Sequence, residues 1–396
     1  MDVFSGITVL SLEQATVLPY LTYRLALDGM NVIRVEHPVY GDPNRLIGDN
    51  VLNEERMNAY FLPINGGKKA VTLNLAEPEG RELLLDCIRK LDVDIFATNQ
   101  LPKNYDKLGV GYDALRAVKP DIIWLGITGF GPESNEVAYD PILQARSGLM
   151  ELTGEAEAAP QVLGIPLPDM GASEHAYGLL MKALYKRART GLGDRIDLAM
   201  FRSSVSWLTV PLCLAASFKR VVTRRGNTHE FFAPVSVFKT RDGYLYIAVG
   251  NDRQWESLTR IPAFSSLNRK EYAVNEGRIR DVRQLNRELA DVMENHTLEE
   301  LIGWFNQANV AASRINTIPE VLEEPAVRDS TLRSKDPRTG MEILLAPPPF
   351  DTEIVRSSDR RVSFPPRFGE HNGEIFGRQM GVSEERLSVL KERGII

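Results

Sequence analysis

Side chains able to do covalent or acid–base chemistry are sparse in this chain. Its five histidines (His37, His175, His229, His296 and His371) and two cysteines (Cys87 and Cys213) form no pair or cluster at metal-ligand spacing, and there is no CxxC. No metal site and no disulfide framework are therefore expected, and both thiols read as buried. The sequence has no GxSxG elbow, no HExxH and no P-loop lysine motif. Gly109-Val110-Gly111-Tyr112-Asp113-Ala114 fits the loose GxGxxA pattern, but Lys103 to Lys107 before it is no strand. The helix N-terminus that would hold a pyrophosphate is not expected there. One constellation remains. Tyr139-Asp140-Pro141-Ile142-Leu143-Gln144-Ala145-Arg146-Ser147-Gly148 is followed by Pro166-Leu167-Pro168-Asp169-Met170-Gly171-Ala172, where a helical pattern begins. Asp169 can be a helix cap whose oxygen accepts a backbone N–H. That is the commonest job of the residue type at a helix start; the sharper alternative is a carboxylate nucleophile, with Gly171 letting a ligand approach the backbone.

The elements around these residues alternate. Ile7–Leu12, Asn31–Glu36, Ala70–Leu75, Val93–Thr98 and Asp121–Ile127 read as strands, and Leu18–Asp28 and Glu79–Leu91 as helices. That rhythm predicts βαβ units and a mostly parallel sheet. Ser173–Arg187 is the clearest helix, with Ala176, Leu179, Leu180, Ala183 and Leu184 on one face and basic residues at its C-terminal end. Its start is marked by Asp169 and Gly171. After about Phe201 the pattern breaks. Ala233–Val249 reads as a hairpin turning at Asp242-Gly243, residues 253–325 as mostly helical with a Thr297/Glu300 capping box, and Ser383–Arg393 as a terminal helix. The Pro-rich stretch Pro347–Pro366 reads as an extended return to the first domain. The expected fold is α/β, with a large domain over 1–203, a linker over 204–225, a smaller α+β domain over 226–325 and a return segment over 326–396.

Composition bounds the function. The 396 residues are 43% hydrophobic and 25% charged, the make-up of a globular protein. A net charge of −6 is no nucleic-acid footprint. The longest nearly apolar run, Trp207–Phe218, is short of the ~20 residues that span a membrane, and Met1–Gly6 does not resemble a signal peptide. A cytoplasmic enzyme with no nucleic-acid or membrane partner is expected.

At this point the chain resembles the family III CoA-transferases, which include formyl-CoA, carnitine and bile-acid CoA-transferases and α-methylacyl-CoA racemase. The markers run from Gly6 to the end. They include Ile7-Thr8-Val9-Leu10 with Pro19, Val32–Glu36 with Gly41-Asp42-Pro43, Gly67-Lys68-Lys69, Leu73-Asn74-Leu75, and Pro78-Glu79-Gly80-Arg81. Further on come Thr128-Gly129-Phe130-Gly131, Tyr139-Asp140, Gln144-Ala145, Ser147-Gly148, the Asp169 turn, Thr190–Gly193, Gly250-Asn251-Asp252 with Gln254-Trp255, and Gly369-Glu370-His371. Each is weak alone; their order over the whole chain is specific.

The resemblance implies a Rossmann-like large domain built from both chain ends and two subunits interlocked as a dimer, either a homodimer or a heteromer with a related subunit. It places Asp169 at the position of the catalytic aspartate, attacking an acyl-CoA thioester to give an aspartyl mixed anhydride and then an aspartyl-CoA thioester. No permanently bound cofactor is implied, coenzyme A entering as the thioester substrate. Tyr139, Asp140 and Gln144 fall in the substrate region, and Gly250, Asn251 and Asp252 match a lid loop. Thr16, Val17, His37, Leu73, Asn74, Leu75, Ala76, Asn99, Gln100 and Lys107 align with CoA contacts. His37 stands where Arg is common, Gln100-Leu101 replaces Phe-Arg or Phe-Gly, Ala76 replaces a frequent Lys, and Val137 lacks the Lys of some relatives. Fewer basic anchors imply either weaker CoA binding or phosphate contacts from Lys68, Lys69 and the partner subunit. The racemase branch has His at position 139; Tyr, with a pKa near 10, is a poor base at pH 7. Transfer of CoA between two carboxylic acids is therefore expected, with succinyl-CoA or another dicarboxylyl-CoA as donor and formate and oxalate disfavoured. The alternatives are an acyl-CoA isomerase or racemase, and a non-catalytic subunit of a heteromeric transferase.

Overall fold

The computed structural model describes residues 3–396. Its contacts divide the chain into two units. The first comprises residues 1–148, 163–213 and 326–396, and the second 149–162 and 214–325. The first unit is built on a six-stranded sheet of β1 (Thr8–Leu12), β2 (Asn31–Glu36), β3 (Lys69–Thr72), β4 (Ile95–Thr98), β5 (Ile123–Thr128) and β6 (Asp194–Ala199). All pairings are parallel, in the order β3-β2-β1-β4-β5-β6. Its helices include α1 (Val17–Leu27), α2 (Pro78–Lys90), α3 (Tyr105–Leu108), α4 (Tyr112–Val118), α5 (Asp140–Ser147), α6 (Leu167–Thr190) and α7 (Met200–Ser206).

Strand periodicity builds two cores, one on each face. Leu10, Ile33, Phe96 and Trp124 point to one face, where they meet Leu84, Cys87 and Ile88 of α2 and Ile375, Phe376 and Leu390 of the C-terminal segment. Val9, Val32, Ile95 and Ile123 point to the other, against Leu18, Leu21 and Leu25 of α1 and Ala172, Ala176 and Leu180 of α6. The outer edge of β3 is covered by the returning chain: Ala70 N–H donates to His371 Nδ1 at 3.1 Å, and Thr72 N–H to Asn372 Oδ1 at 2.9 Å.

The second unit holds an antiparallel sheet, β7 (Val235–Lys239), β8 (Tyr244–Ala248) and β9 (Ala311–Arg314), in the order β7-β8-β9. Its hairpin turns at Asp242-Gly243, and helix Leu298–Gln307 starts with the Thr297/Glu300 capping box.

Several expectations need correction. Leu149–Val162, expected in the first domain, falls in the second unit. The expected linker contains the helix Thr209–Phe218, none of whose residues is buried. The Pro-rich stretch is not wholly extended, because Thr352 caps a short helix, Glu353–Ser357. Cys87 is buried but Cys213 is exposed. Helix α6 starts at Leu167, so Asp169 lies inside it. No helix of the described residues is long and apolar enough to cross a membrane.

Beneath the carboxyl ends of β1 and β2 lies a sealed cluster of three acids and three bases: Glu13, Glu36 and Asp42 with Arg34, Arg45 and Lys68. Lys68 Nζ lies 2.9 Å from Glu13 Oε1 and also donates to Pro19 O and Asn65 Oδ1. Arg45 grips Glu36 through two bonds of 2.7 Å, and Arg34 Nη2 reaches Asp42 Oδ2 at 2.8 Å. Thr22 and Ser11 hydroxyls complete the shell of Glu13. Removing one partner strands a charge in a water-free site. Lys68→Met should therefore cost about 3–5 kcal/mol in denaturant unfolding. The double variant with Glu13→Gln should cost less than the sum of the single changes. Lys68→Met unfolding at the wild-type midpoint would contradict this account.

Candidate active site

The strand order reverses between β1 and β4, so the chain leaves their carboxyl ends in opposite directions and opens a crevice there. Gln14, after β1, and Asn99, after β4, face each other across it: Gln14 N–H donates to Asn99 Oδ1 at 3.2 Å and Asn99 Nδ2 to Gln14 O at 2.8 Å. A cleft of about 330 Å³ opens beside them, bordered by Thr16, Val17, Gln100, Tyr139, Asp140 and Asp169. A smaller hollow of about 170 Å³ shares Gln14 and Gln100 with it and is lined by His37, Leu73, Leu75 and Ala76.

Asp169 is the third residue of α6, and its side chain does not cap the helix. The capping oxygen comes from α5, where Asp140 Oδ2 accepts the Asp169 backbone N–H at 3.2 Å. Asp140 Oδ1 accepts from Gln144 Nε2 at 2.5 Å, and Gln144 Oε1 in turn accepts Leu163 N–H at 2.9 Å. The cap reading of Asp169 is thereby replaced: a buried acid on the neighbouring helix does that work, and the Asp169 carboxylate takes no hydrogen bond from any described residue. Burial first, and the Asp140 charge second, push its pKa up to about 7. The positive end of α6 acts in the opposite sense. Burial likewise raises the pKa of Asp140, against the hydrogen bonds from Gln144 and Asp169 N–H. A half-buried carboxylate without donors is poorly solvated and suited to attack an electrophile. Gly171 has a different use from the one expected. It is buried, and a Cβ there would sit 2.0 Å from the Trp207 indole, so its bareness admits a packed ring rather than a ligand.

The other expected residues divide. Thr16, Val17, Asn99, Gln100, Tyr139 and Asp140 share the cleft with Asp169, and Tyr139 is 69% exposed. His37, Leu73, Leu75 and Ala76 line the adjoining hollow. Asn74 ties the hollow to the C-terminal segment, its N–H donating to Ile395 O at 2.7 Å and its Oδ1 accepting Ala76 N–H at 3.2 Å. Lys107 is exposed on α3, next to Leu108 of the hollow. His37 Nδ1 accepts Val39 N–H at 3.1 Å and burial lowers its pKa, so it brings no charge at pH 7. Lys68 cannot reach a phosphate from inside the sealed cluster, and Lys69 pairs with Glu374. In the second unit, Asn251 caps the helix Asp252–Thr259, Gly250 N–H donates to Gln254 Oε1 at 2.8 Å, and Asp252 pairs with Arg278. The GxGxxA run does open a helix, α4, contrary to expectation, but α3 rather than a strand precedes it. Among the described residues, no three His, Cys, Asp or Glu side chains are placed to hold a metal ion.

Two features of the cleft and the hollow have roles that no local pattern announces. Ala15 has φ +62°, a left-handed conformation that costs a non-glycine residue about 1 kcal/mol or more. Asp42 Oδ1 holds its N–H at 3.0 Å and Asn44 Nδ2 its carbonyl at 2.6 Å. Arg81 staples the hollow, donating to the carbonyls of Leu75, Ala76 and Lys107.

Comparison with known proteins gives one answer. The model of CoA-transferase family III matches residues 4–372. A succinyl-CoA:glutarate CoA-transferase of Mus musculus is 30% identical over 100% of this chain and 91% of its own length. A succinyl-CoA:mesaconate CoA-transferase of Haloarcula hispanica is 30% identical over 95% of this chain and 96% of its own. A crystal structure of a CaiB/BaiF family protein from Brucella suis superposes with a TM-score of 0.82 at 28% identity, covering 96% of this chain and 99% of that one.

The electrostatics of Asp169 give a pH dependence. Its folded-state pKa of about 7 lies above the ordinary carboxylate value near 4, so between those values the folded chain binds more protons than the unfolded one. Its contribution to stability is complete below about pH 4 and is lost as pH rises through about 7. Asp169→Asn should therefore be more stable than wild type at pH 8 and nearly equal to it at pH 4, by denaturant unfolding. In a ¹³C-carboxyl titration, Asp140→Asn should move the Asp169 midpoint down. A wild-type midpoint near 4 would refute both expectations.

Proposed function

The chain belongs to CoA-transferase family III and is a CoA-transferase, and from that premise we propose that Asp169 carries CoA between two carboxylic acids as a covalent intermediate. The observation that supports this most is the Asp169 carboxylate, free of hydrogen bonds at the head of α6, in a cleft where Asp140 does the capping. One Asp169 oxygen attacks the thioester carbonyl carbon. A C–O bond forms, the C–S bond breaks, and CoA leaves as thiolate, giving a mixed anhydride. The thiolate then attacks the aspartyl carbonyl and expels the first acid as carboxylate, leaving an aspartyl-CoA thioester. The incoming carboxylate runs the same steps in reverse. Acyl activation is kept throughout at nearly constant free energy. The names of the relatives, which pair succinate with glutarate or mesaconate, support a dicarboxylyl-CoA as donor. The apolar helix Thr209–Phe218, none of whose residues is buried, supports the dimeric assembly that the resemblance implies.

Tyr139 separates transfer from α-proton chemistry, because a phenol in place of an imidazole is a weak base at neutral pH. With succinyl-CoA and a panel of free acids, mass spectrometry should show CoA exchange without deuterium entering the α-carbon from heavy water. Rapid α-deuteration without transfer would move the chain to the racemase branch.

Asp169→Ala should lower transfer by at least about 10³-fold with the fold intact. Borohydride or hydroxylamine added to wild type with acyl-CoA should modify Asp169. Near-normal turnover of the alanine variant would end the covalent mechanism.

The lid role that the resemblance gives Gly250, Asn251 and Asp252 has its own test. Gly250→Pro removes the N–H that Gln254 holds and fixes φ near −65°. If the loop shields the intermediates from water, the ratio of acyl-CoA hydrolysis to transfer should rise several-fold. An unchanged ratio in a folded variant would rule the lid out.

A further inference from the structure

The start of α1 is a helix end buried without partners. Thr16, Val17 and Leu18 are 8%, 5% and 0% exposed, and the backbone N–H groups of Val17 and Leu18 have no acceptor within the chain. The next residue, Pro19, has no N–H at all. Four orphan donors at a helix start are ordinarily met by a side-chain cap or by water, but Thr16, at the cap position, makes no such bond. Its hydroxyl has no partner and is not among the sealed, unpaired polar atoms, so it keeps a face open to solvent. The spaces Thr16 lines are the Asp169 cleft and a cavity of about 470 Å³ beside it, bordered by Tyr60, Pro63, Ile64, Pro166 and Met170. An unpartnered hydroxyl on a residue only 8% exposed, at a helix end with free N–H groups, is a site waiting for an oxygen.

The same residues are held against Asp169. Ser173, one turn after Asp169 on α6, has its Oγ 2.5 Å from Val17 O and 2.8 Å from Asp169 O, so one side chain ties the start of α1 to the turn that bears the carboxylate. On the other side, Asp42 and Asn44 clamp Ala15 in its left-handed conformation, which turns the chain from β1 into α1.

Resting on the transferase reading above, we infer that the start of α1 is the oxyanion site of the reaction: the Thr16 hydroxyl and the first-turn N–H groups receive the thioester carbonyl oxygen when Asp169 attacks. As the C–O bond to Asp169 forms, the π pair of the carbonyl moves onto that oxygen. As the C=O bond re-forms, the C–S bond breaks and CoA leaves as thiolate. Donors aimed at the place where this charge develops lower the barrier without reorganising. Asp42 and Asn44 are positioning residues, acting through Ala15.

The test follows single-turnover release of CoA from succinyl-, glutaryl- and acetyl-CoA, with the Kd of CoA measured separately by calorimetry. Thr16→Val, which keeps the shape and removes the hydroxyl, should slow release about 10²-fold while changing the Kd less than two-fold, and Thr16→Ser should retain most of the rate. Ala15→Val, a β-branched residue ill-suited to φ +62°, should slow the same step with the wild-type Kd, whereas Ala15→Gly should not. Thermal unfolding of each variant shows whether the fold survives. A Thr16→Val rate within two-fold of wild type, or a loss that lies wholly in the Kd of CoA, overturns the inference while leaving the transferase reading intact. A wild-type chain that releases no CoA from any of the three thioesters in an Asp169-dependent way overturns the transferase reading and this inference with it.

Discussion

The carboxyl edge of the sheet depends on six charges closed off from water. Glu13 follows β1, Arg34 and Glu36 lie in β2, Asp42 and Arg45 belong to the loop after it, and Lys68 precedes β3. Separately, each would be intolerable in an apolar interior, where desolving an ion costs several kcal/mol. Together they neutralise one another, three against three. An apolar replacement of equal volume would be no less stable, but it would not specify one arrangement. Asp42 shows why that matters: one oxygen binds Arg34 and the other holds the Ala15 N–H at the cleft. Electrostatic balance inside the sheet thus becomes backbone conformation at the site.

A second division of labour runs across the cleft. A helix start wants an acceptor, and a nucleophile wants to be left without donors. One aspartate cannot satisfy both demands; α5 supplies Asp140 for the first, and in the proposed mechanism α6 keeps Asp169 for the second. Gln144, one turn along from Asp140, fixes the capping carboxylate and also reaches Leu163 ahead of α6. The proximity of the two acids raises the pKa of Asp169, which places its ionisation where small changes of pH alter the fraction able to attack.

What the sequence reveals here is whatever depends on local pattern. The parallel strands, the Asp242-Gly243 hairpin and the Thr297/Glu300 box are legible because period, turn chemistry and capping act over a few residues. The Asp169 turn and the Tyr139–Gly148 run are legible as a constellation because their residue types are unusual together. The role of Asp140 is not, because a cap supplied from another helix leaves no mark at fixed spacing. Lys68 reads as a free cation in the Gly67-Lys68-Lys69 run, and only the fold shows it sealed against Glu13. Ala15 is the extreme case: nothing in an alanine announces a positive φ imposed by residues 27 and 29 positions away. Gly171 misleads in the same way, since a bare Cα serves an indole as readily as a ligand.

These corrections change how the cleft must hold an anionic cofactor-like substrate. With Lys68 sealed and Lys69 paired, the basic side chains beside the hollow are Lys107 and Arg81, and its walls combine Leu73, Leu75, Ala76 and Leu108 with the ion-paired Glu13 and Glu36. Recognition there rests on shape and apolar burial more than on a cluster of basic groups, and Arg81 contributes by fixing the two lips through their carbonyls. A site of that kind discriminates weakly among charged tails and strongly by fit. The work of distinguishing one acid from another then falls to the space around Asp169, where the start of α1, Tyr139 and the adjoining apolar cavity meet. In the transferase reading proposed above, holding CoA and choosing the acid are separate tasks, assigned to neighbouring stretches of one sheet edge that join at Gln14 and Gln100.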